Sequence, residues 1–234
     1  MYFENVDIKN KIEQLLQNGY CKFPSLNSLP NFKHIRRDIF ISLDDKTYKE
    51  ENYFHKKILQ LIEFEEKFLP YLKKIAKEKF LIKQEYKKPY MIRRTVRPGE
   101  KFEGYRAHFD SHLFTLVIPI NIPEDKNIHN RGQLIFFPNI RTFKKNEFKN
   151  ILQKLYFKRF NNDDKISQLS KKYLMKVESF DEYEPILFLG YSTLHMNRGM
   201  DIKNKNKRIT LLCHYYDTSP KYGIGNILRL VRNR

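Results

Sequence analysis

The sequence has few cysteines and no long apolar segment. Only Cys21 and Cys213 are present, too few for a disulfide framework, so we expect a reducing compartment. No run of 18 apolar residues occurs, so no membrane-spanning helix is predicted, and the N-terminal residues 1–5 are not typical of a secretory leader. We therefore expect a cytoplasmic protein with no membrane partner.

Acidic residues are scarce relative to basic ones, at 27 Asp and Glu against 45 Lys and Arg, which gives a formal net charge of +18. Such an excess is typical of polyanion-binding proteins. The basic residues are nevertheless spread along the whole chain, and Ala76 and Ala107 are the only alanines among many Lys, Asn, Ile, Phe and Tyr. We hypothesise that this composition follows from an AT-rich genome. A nucleic-acid partner is therefore not expected, since a basic pocket for an anionic small substrate explains the charge equally well.

Internal repeats and low-complexity segments are absent, and the 234 residues, 41% hydrophobic and 15% aromatic, predict one domain with a substantial core. Short apolar segments predict β-strands from residue 90 onward: these are residues 90–97, 114–120, 132–137, 185–189 and 208–216. Short strands with flanking helices favour a mainly β fold, a jelly roll of two sheets with about four strands each.

The first 89 residues are predicted to support that core. Residues 7–19 form an amphipathic helix, capped by Asp7 and ended by Gly19, and residues 20–23 form a short strand. Residues 24–50 are predicted to be loops around a short apolar piece at 39–41. The strongest helical pattern covers residues 51–79, with Pro70 as a break or kink.

A helical insertion is predicted within the core, which we place at residues 90–217. Two helices, at 145–160 and 163–176, would form this insertion over residues 140–183, as a lid over a site or as part of an oligomer contact. Residues 218–234 would be a C-terminal tail, with a basic helix or a frayed end. The oligomeric state is not predicted.

The most informative residues are His108, Asp110, His195 and Arg208. Two imidazoles and one carboxylate are a ligand set that holds Fe(II) on one side and leaves other positions open to oxygen and a keto acid. Because strand side chains alternate between faces, Thr210 and His214 lie on the same face as Arg208. A planar guanidinium can bind the far carboxylate of a keto acid with two hydrogen bonds.

Each of these residues also has an ordinary structural explanation. His108 and Asp110 could be a histidine at a strand end followed by a solvated turn aspartate. His195 could belong to a polar loop, and Arg208 could be a surface residue after the polar run 203–207. The argument for a site is that all four flank predicted strands.

The chain resembles the Fe(II)/2-oxoglutarate-dependent dioxygenases, in a prolyl-hydroxylase-like and phytanoyl-type layout, over about residues 90–217. The segments that carry the resemblance are His108-Phe109-Asp110, residues 115–121, residues 131–138, Leu194-His195 and Arg208-Ile209-Thr210. The resemblance implies a double-stranded β-helix (jelly-roll, cupin-like) fold and a reaction that uses molecular oxygen and decarboxylates 2-oxoglutarate to succinate.

The resemblance also implies roles for individual residues. His108, Asp110 and His195 would bind iron, and Arg208, with Thr210 as helper, would bind the distal carboxylate of 2-oxoglutarate. Tyr105, or alternatively Tyr90, would donate a hydrogen bond to its other end. In that family the His-x-Asp segment closes a barrel strand.

Three features qualify the resemblance. The segment between Phe137 and Pro185 is longer than a short link. The nucleic-acid-demethylating branch has a second arginine where this chain has His214, which disfavours demethylation. Halogenating relatives replace the carboxylate by a small residue, so Asp110 favours hydroxylation or a related oxidation.

The substrate is predicted to be a small molecule, anionic or neutral, or a peptide-like one. Candidate substrate contacts are Arg94, Arg106, His112 and Arg198, although each arginine could equally form an ordinary ion pair. His112 and His214 are expected to be structural residues before metal ligands. Two other functions stay open: a cupin-like metalloenzyme that needs no keto acid, and a basic nucleic-acid-binding barrel.

Overall fold

The computed structural model describes residues 2–4, 6–44, 46–82, 88–100, 104–142, 152–153, 155–201 and 206–218. The helices are α1 (Ile8–Asn18), α2 (Phe32–Ile41), α3 (Tyr53–Leu61), α4 (Phe64–Lys67), α5 (Leu69–Glu78) and α6 (Asp163–Ser170). The strands are β1 (Tyr20–Lys22), β2 (Tyr48–Glu50), β3 (Tyr90–Val96), β4 (His112–Asn121), β5 (Leu134–Phe137), β6 (Lys176–Glu178), β7 (Ile186–Leu189), β8 (Leu194–Asn197) and β9 (Arg208–Asp217). Within these ranges no helix has the length and apolar character to cross a bilayer.

The strands form two antiparallel sheets, which confirms the predicted jelly-roll fold class. The major sheet has six strands in the order β1-β7-β4-β9-β3-β2, and the minor sheet has three in the order β6-β5-β8. The expectation of about four strands in each sheet was wrong. Two three-residue strands from the N-terminal region, β1 and β2, join the major sheet at its edges and enlarge it.

The major sheet separates two chemical environments. Its outer face packs on helices α1 to α5 through a large apolar cluster, which includes Leu116, Leu187, Ile209, Leu211 and Tyr215. Its inner face carries the alternate residues of the same strands, among them Arg94, Thr115, Arg208, Thr210 and His214. Register explains the grouping, because Arg94 pairs with Thr210, and His214 pairs with Thr115.

The minor sheet closes the barrel. The outward residues of its strands form an apolar cluster with α6 and the preceding segment, which contains Ile135, Phe137, Phe157, Ile166 and Leu194. Its inward residues, such as Leu134 and Phe136, meet Val117, Ile186 and Phe188 of the major sheet. The barrel interior therefore contains an apolar cluster, in addition to the polar side chains of the inner face of the major sheet.

Helix α1 forms as its sequence predicts. Asp7 accepts a hydrogen bond from the Asn10 amide, and Gly19 ends the helix in the left-handed conformation at φ 80°. An aspartate cap of this kind contributes about 1 kcal/mol to helix stability.

In the rest of the N-terminal region, the helical character of residues 51–79 is confirmed, whereas the loops predicted at 32–41 and the break predicted at Pro70 were wrong. Residues 32–41 form α2, although we predicted loops, because its apolar residues Phe32, Ile35 and Ile39 bury one face. Residues 51–79 form three helices, since the chain breaks at Glu63, which has φ 52°, and again at Phe68. Pro70 does not cause the break; it lies in the first turn of α5, where proline is tolerated.

The insertion contributes to the minor sheet. Helix α6 ends at Ser170, and Lys176–Glu178 form β6, which pairs with β5; the predicted continuation of the helix to residue 176 was wrong. Residues 145–151 and 154 of the predicted 145–160 helix lie outside the described residues, as does the C-terminal segment 219–234. Those predictions remain predictions.

Candidate metal centre

His108, Asp110 and His195 meet inside the barrel. His195 lies on β8, and His108 extends the minor sheet beside it through two backbone hydrogen bonds, of 3.1 and 3.0 Å. Asp110 follows just before β4, and its amide donates to the Gly190 carbonyl at 3.1 Å. The His-x-Asp segment therefore precedes a strand of the major sheet and bridges the two sheets.

The three side chains present one ligand atom each within 4.8 Å of one another. Asp110 Oδ1 lies 3.9 Å from His108 Nε2 and 3.6 Å from His195 Nε2. The two imidazole rings are 4.2 Å apart between centroids and tilted by 54°. These separations suit three donors around one cation, since metal–ligand bonds of about 2 Å would bring all three to the ion.

Backbone carbonyls orient both imidazoles. His108 Nδ1 lies 2.7 Å from the Arg106 carbonyl, and His195 Nδ1 lies 3.2 Å from the Thr193 carbonyl. A carbonyl only accepts, so each Nδ1 carries the proton, and each Nε2 lone pair is free to bind a cation. Such contacts fix ring orientation in protein metal sites.

Electrostatics favour the metal-binding protonation states. Burial and the nearby His195 lower the pKa of His108, which keeps its imidazole neutral. Burial alone would raise the pKa of Asp110, but His195, His214 and His108, together with the Thr115 hydroxyl, hold it below its ordinary value. The cluster thus combines the Asp110 carboxylate with the neutral imidazole of His108, and a divalent cation would complement the charge of the carboxylate.

Arg208 lies on the inner face of β9, 3% exposed, with Thr210 2% exposed two residues on. Its guanidinium lies over the Phe180 ring at 5.6 Å, and no carboxylate among the described residues forms an ion pair with it. Burial and the nearby Arg94 lower its pKa to about 9. A buried cation without an anionic partner is costly, so this position suits an anionic ligand.

Arg94 lies on the same face, opposite Thr210. Its guanidinium donates to Asn197 Oδ1, and Asn197 in turn donates to the Gly132 carbonyl at 3.2 Å. Arg94 acts electrostatically on both His108 and Arg208. Arg94 therefore lies near both the metal ligands and the buried Arg208.

Other predicted site residues lie elsewhere. Tyr105 donates to Asp163 Oδ2 at 2.6 Å and packs with the outer cluster of the minor sheet, and Asp163 and burial raise its pKa to about 12. Arg198 also binds Asp163, at 2.9 Å. The structure does not bring either side chain to the metal cluster, because both bind Asp163 at the start of α6. Arg106 is exposed and contributes its carbonyl to His108.

His112 and His214 form an aromatic stack with Tyr90 beside the centre. The ring centroids of His112 and His214 are 5.1 Å apart, and Tyr90 lies 6.1 Å from each. Sequence reasoning missed Thr115, whose hydroxyl donates to Asp110 Oδ2 at 2.5 Å, and Asn197. The position of Asn197 two residues after His195 was an available signal, whereas the pairing of Thr115 with His214 depends on long-range strand register.

No protein-family model and no curated protein matches this sequence. Solved structures do match its fold. A Pseudomonas putida prolyl-4-hydroxylase superposes with a TM-score of 0.51 at 12% identity, covering 89% of this chain and 98% of that one. The carbocyclase SnoK and the epimerase SnoN, both described as non-heme alpha-ketoglutarate-dependent enzymes of nogalamycin biosynthesis, give TM-scores of 0.54 and 0.53.

SnoK is 11% identical to this chain, and the superposition covers 98% of this chain and 93% of SnoK. SnoN is 10% identical, and the superposition covers 93% of this chain and 87% of SnoN. At such identities the likeness concerns the fold. The fold expected from the sequence resemblance is confirmed, and the chain combines it with a His-Asp-His cluster able to hold a metal ion.

Proposed function

We propose that this protein is a non-haem Fe(II)/2-oxoglutarate-dependent oxygenase. The observation that carries the proposal is the presence, inside one barrel, of the His108, Asp110 and His195 cluster and the buried guanidinium of Arg208. Structural relatives described as prolyl hydroxylase and alpha-ketoglutarate-dependent enzymes share the fold and support it.

The donor set fits a ferrous ion. Two imidazole nitrogens and one carboxylate oxygen form the ligand triad of non-haem Fe(II) oxygenases, and three protein ligands leave further coordination positions for other molecules. The orientation of both Nε2 atoms toward Asp110 Oδ1 prepares the donors before an ion arrives. The two buried cysteines, Cys21 and Cys213, lie on the outer face and do not compete for it.

The negative charge of 2-oxoglutarate complements the positive charge of Arg208. 2-Oxoglutarate has a keto-acid end suited to a metal and a carboxylate at the opposite end. Arg208 can bind that carboxylate through two parallel hydrogen bonds, and Thr210 can add its hydroxyl from the same face. The anion would neutralise a guanidinium that has no carboxylate partner among the described residues.

The chemistry supplied by Fe(II), 2-oxoglutarate and molecular oxygen is oxidation of a substrate C–H bond, coupled to decarboxylation of the keto acid to succinate. His108 and His195 hold their lone pairs toward the site through their carbonyl contacts. Arg208 orients the co-substrate, and the apolar residues of the barrel interior, including Phe188 at 5.0 Å from His195, limit access of water.

We further propose that the reaction is hydroxylation of a small anionic or peptide-like substrate. Arg94 inside the barrel and the exposed Arg106 beside His108 supply positive charge near the centre. Asp110 supports hydroxylation over halogenation. The names of SnoN and SnoK show that relatives of this fold include an epimerase and a carbocyclase, so product analysis is part of the test.

The first experiment is an anaerobic titration of the purified protein with Fe(II) and 2-oxoglutarate. We expect a weak visible charge-transfer band that requires both ligands, disappears in His195→Ala, and needs more 2-oxoglutarate in Arg208→Ala. Arg37→Ala, an exposed arginine on α2, is the matched control and should behave as the parent protein.

The alternatives give different results. Metal binding with no response to 2-oxoglutarate would favour a cupin-like metalloenzyme. A protein that binds no metal but binds random DNA or RNA with a steep salt dependence would be a nucleic-acid-binding barrel.

A further inference from the structure

We propose that Thr115 and His214 are positioning residues that hold the Asp110 carboxylate so that only Oδ1 faces the metal. The inference rests on the proposed metal site and deepens it. Its basis is a chain of hydrogen bonds behind the carboxylate, on the side away from His108 and His195.

The contacts are short and buried. Thr115 Oγ1 lies 2.5 Å from Asp110 Oδ2 and 3.0 Å from His214 Nδ1. Both residues are buried: Thr115 is 1% exposed and His214 is 7% exposed. His214 Nδ1 is 3.7 Å from Asp110 Oδ2, too far for a direct hydrogen bond. Thr115 therefore connects His214 to the carboxylate.

The direction of the chain follows from donor chemistry. An ionised carboxylate only accepts, so the single Thr115 proton is donated to Asp110 Oδ2. Thr115 Oγ1 must then accept from His214, whose Nδ1 carries a proton. The chain therefore runs from His214 Nδ1–H to Thr115 Oγ1–H and ends at Asp110 Oδ2.

His214 is itself held in place. Its ring is 5.1 Å from His112 with an interplanar angle of 31°, and 6.1 Å from Tyr90 at 25°. These two rings limit rotation of the imidazole away from Thr115. A residue that the sequence suggests is an ordinary core histidine thus acquires a role at the metal centre.

Gly190 packs closely against the hydrogen bond between Thr115 and Asp110. A Cβ atom at this position would lie 2.6 Å from Thr115 Oγ1 and 2.9 Å from Asp110 Oδ2, closer than real Cβ contacts allow. The Gly190 carbonyl also accepts from the Asp110 amide at 3.1 Å. Asp110 Oδ2 and the Thr115 hydroxyl therefore both lie against Gly190, where a larger residue would disturb their hydrogen bond.

The consequence is ligation through one oxygen. With Oδ2 engaged, Asp110 offers Oδ1 to the ion, and a second coordination position is not taken by the same carboxylate. Removal of such supporting contacts typically weakens metal affinity by about 10–100-fold. This chain of hydrogen bonds is thus expected to control both the metal affinity of the site and the number of coordination positions left open on the ion.

The test measures Co(II) affinity of the metal-free protein by calorimetric titration, so it does not depend on turnover. Thr115→Val removes the hydroxyl with little change of shape and should weaken Co(II) binding about 10–100-fold. Thr115→Ser should restore most of the affinity. Thr95→Val is the matched control: Thr95 is also buried in the major sheet, on its outer face, and its variant should bind as the parent does.

A second set of variants tests the order of the hydrogen bonds from His214 through Thr115 to Asp110. His214→Phe keeps a ring but removes the donor, and it should weaken Co(II) binding, whereas His214→Asn supplies an amide donor near the Nδ1 position and should bind more tightly than His214→Phe. Because His214 acts through Thr115, the double variant Thr115→Val/His214→Phe should bind no more weakly than Thr115→Val alone. Thermal unfolding of the metal-free variants checks that each is folded.

The outcomes are distinguishable. Parent-like Co(II) affinity in Thr115→Val and His214→Phe would overturn the positioning role while leaving the metal site in place. Additive losses in the double variant would overturn the proposed order of the chain. A parent protein that binds neither Co(II) nor Fe(II) would overturn the proposed function itself.

Discussion

The two faces of the major sheet are built from the same strands and serve opposite purposes. On β9, the outward residues Ile209, Leu211, Cys213 and Tyr215 are fully buried in the large cluster against α1 to α5. The inward residues Arg208, Thr210 and His214 are also buried, yet they are polar. Burial alone therefore does not distinguish core from site; the chemistry of the alternate residues does.

The energetic difference between the faces indicates where function lies. Apolar side chains on the outer face gain about 25 cal/mol for each Å² removed from water. On the inner face a guanidinium is desolvated without a carboxylate partner among the described residues, which opposes folding. Such a cost is typical of binding sites, where a ligand supplies the missing charge.

The strongest test of this contrast is Asp110→Ala. Loss of the carboxylate should abolish metal-dependent succinate formation, because two imidazoles alone bind Fe(II) too weakly, while the fold is retained. Metal content and succinate are the measurements, and thermal unfolding verifies the fold. Asp164→Ala, at an exposed aspartate in the first turn of α6, serves as control. Normal turnover in Asp110→Ala would remove this residue from the metal site.

A substitution on the outer face of the major sheet should lower the stability of the protein and leave its 2-oxoglutarate requirement unchanged. Leu211→Ala leaves a cavity in the apolar cluster and should lower the free energy of unfolding by about 2–5 kcal/mol. Denaturant unfolding measures the loss. At temperatures where the variant is folded, its requirement for 2-oxoglutarate should equal that of the parent protein. A selective increase of that requirement would show that the faces are coupled.

Arg208→Ala should affect ligand binding more than folding. Loss of a charge-assisted contact to a carboxylate costs about 2–4 kcal/mol, or about 30–1,000-fold in the 2-oxoglutarate concentration needed for half-maximal turnover. Arg208→Lys keeps the charge but not the planar fork and should be intermediate. The stability of the ligand-free protein should stay the same or rise, since an unpaired buried charge is removed. An unchanged 2-oxoglutarate requirement would contradict the assignment.

Tyr105→Phe should have the smallest effect. The hydroxyl binds Asp163 on the outer side of the minor sheet, so its removal should cost about 1 kcal/mol of stability or less and leave the 2-oxoglutarate requirement unchanged. Denaturant unfolding and steady-state kinetics check both points. A several-fold increase in the requirement would return Tyr105 to the co-substrate site.

The sequence predicted the fold where local pattern and burial agree. The β9 segment was found because its residues are apolar or alternate regularly, and α1 because its cap and its terminal glycine are local signals. Helix α2 was missed because the prolines and polar residues before it suggested loops. Strand β6 was missed because three residues acquire strand geometry only by pairing with β5, which is distant in sequence.

The site was predictable to the extent that it depends on residue type. The convergence of His108, Asp110 and His195 was expected from the ligand chemistry of these side chains, and the inward orientation of Arg208 and Thr210 from strand alternation. The locations of Tyr105 and Arg198 were not, because they depend on where α6 packs.

The short edges of the major sheet have a consequence for self-association. Both β1 and β2 are three residues long, and each carries a lysine in an ion pair, Lys22 with Glu178 at 3.0 Å and Lys49 with Asp44 at 2.8 Å. Short, charged edge strands offer few unpaired backbone groups to another chain. The edges of the major sheet are therefore poor templates for strand addition, in a protein with 19 phenylalanines and 15 tyrosines.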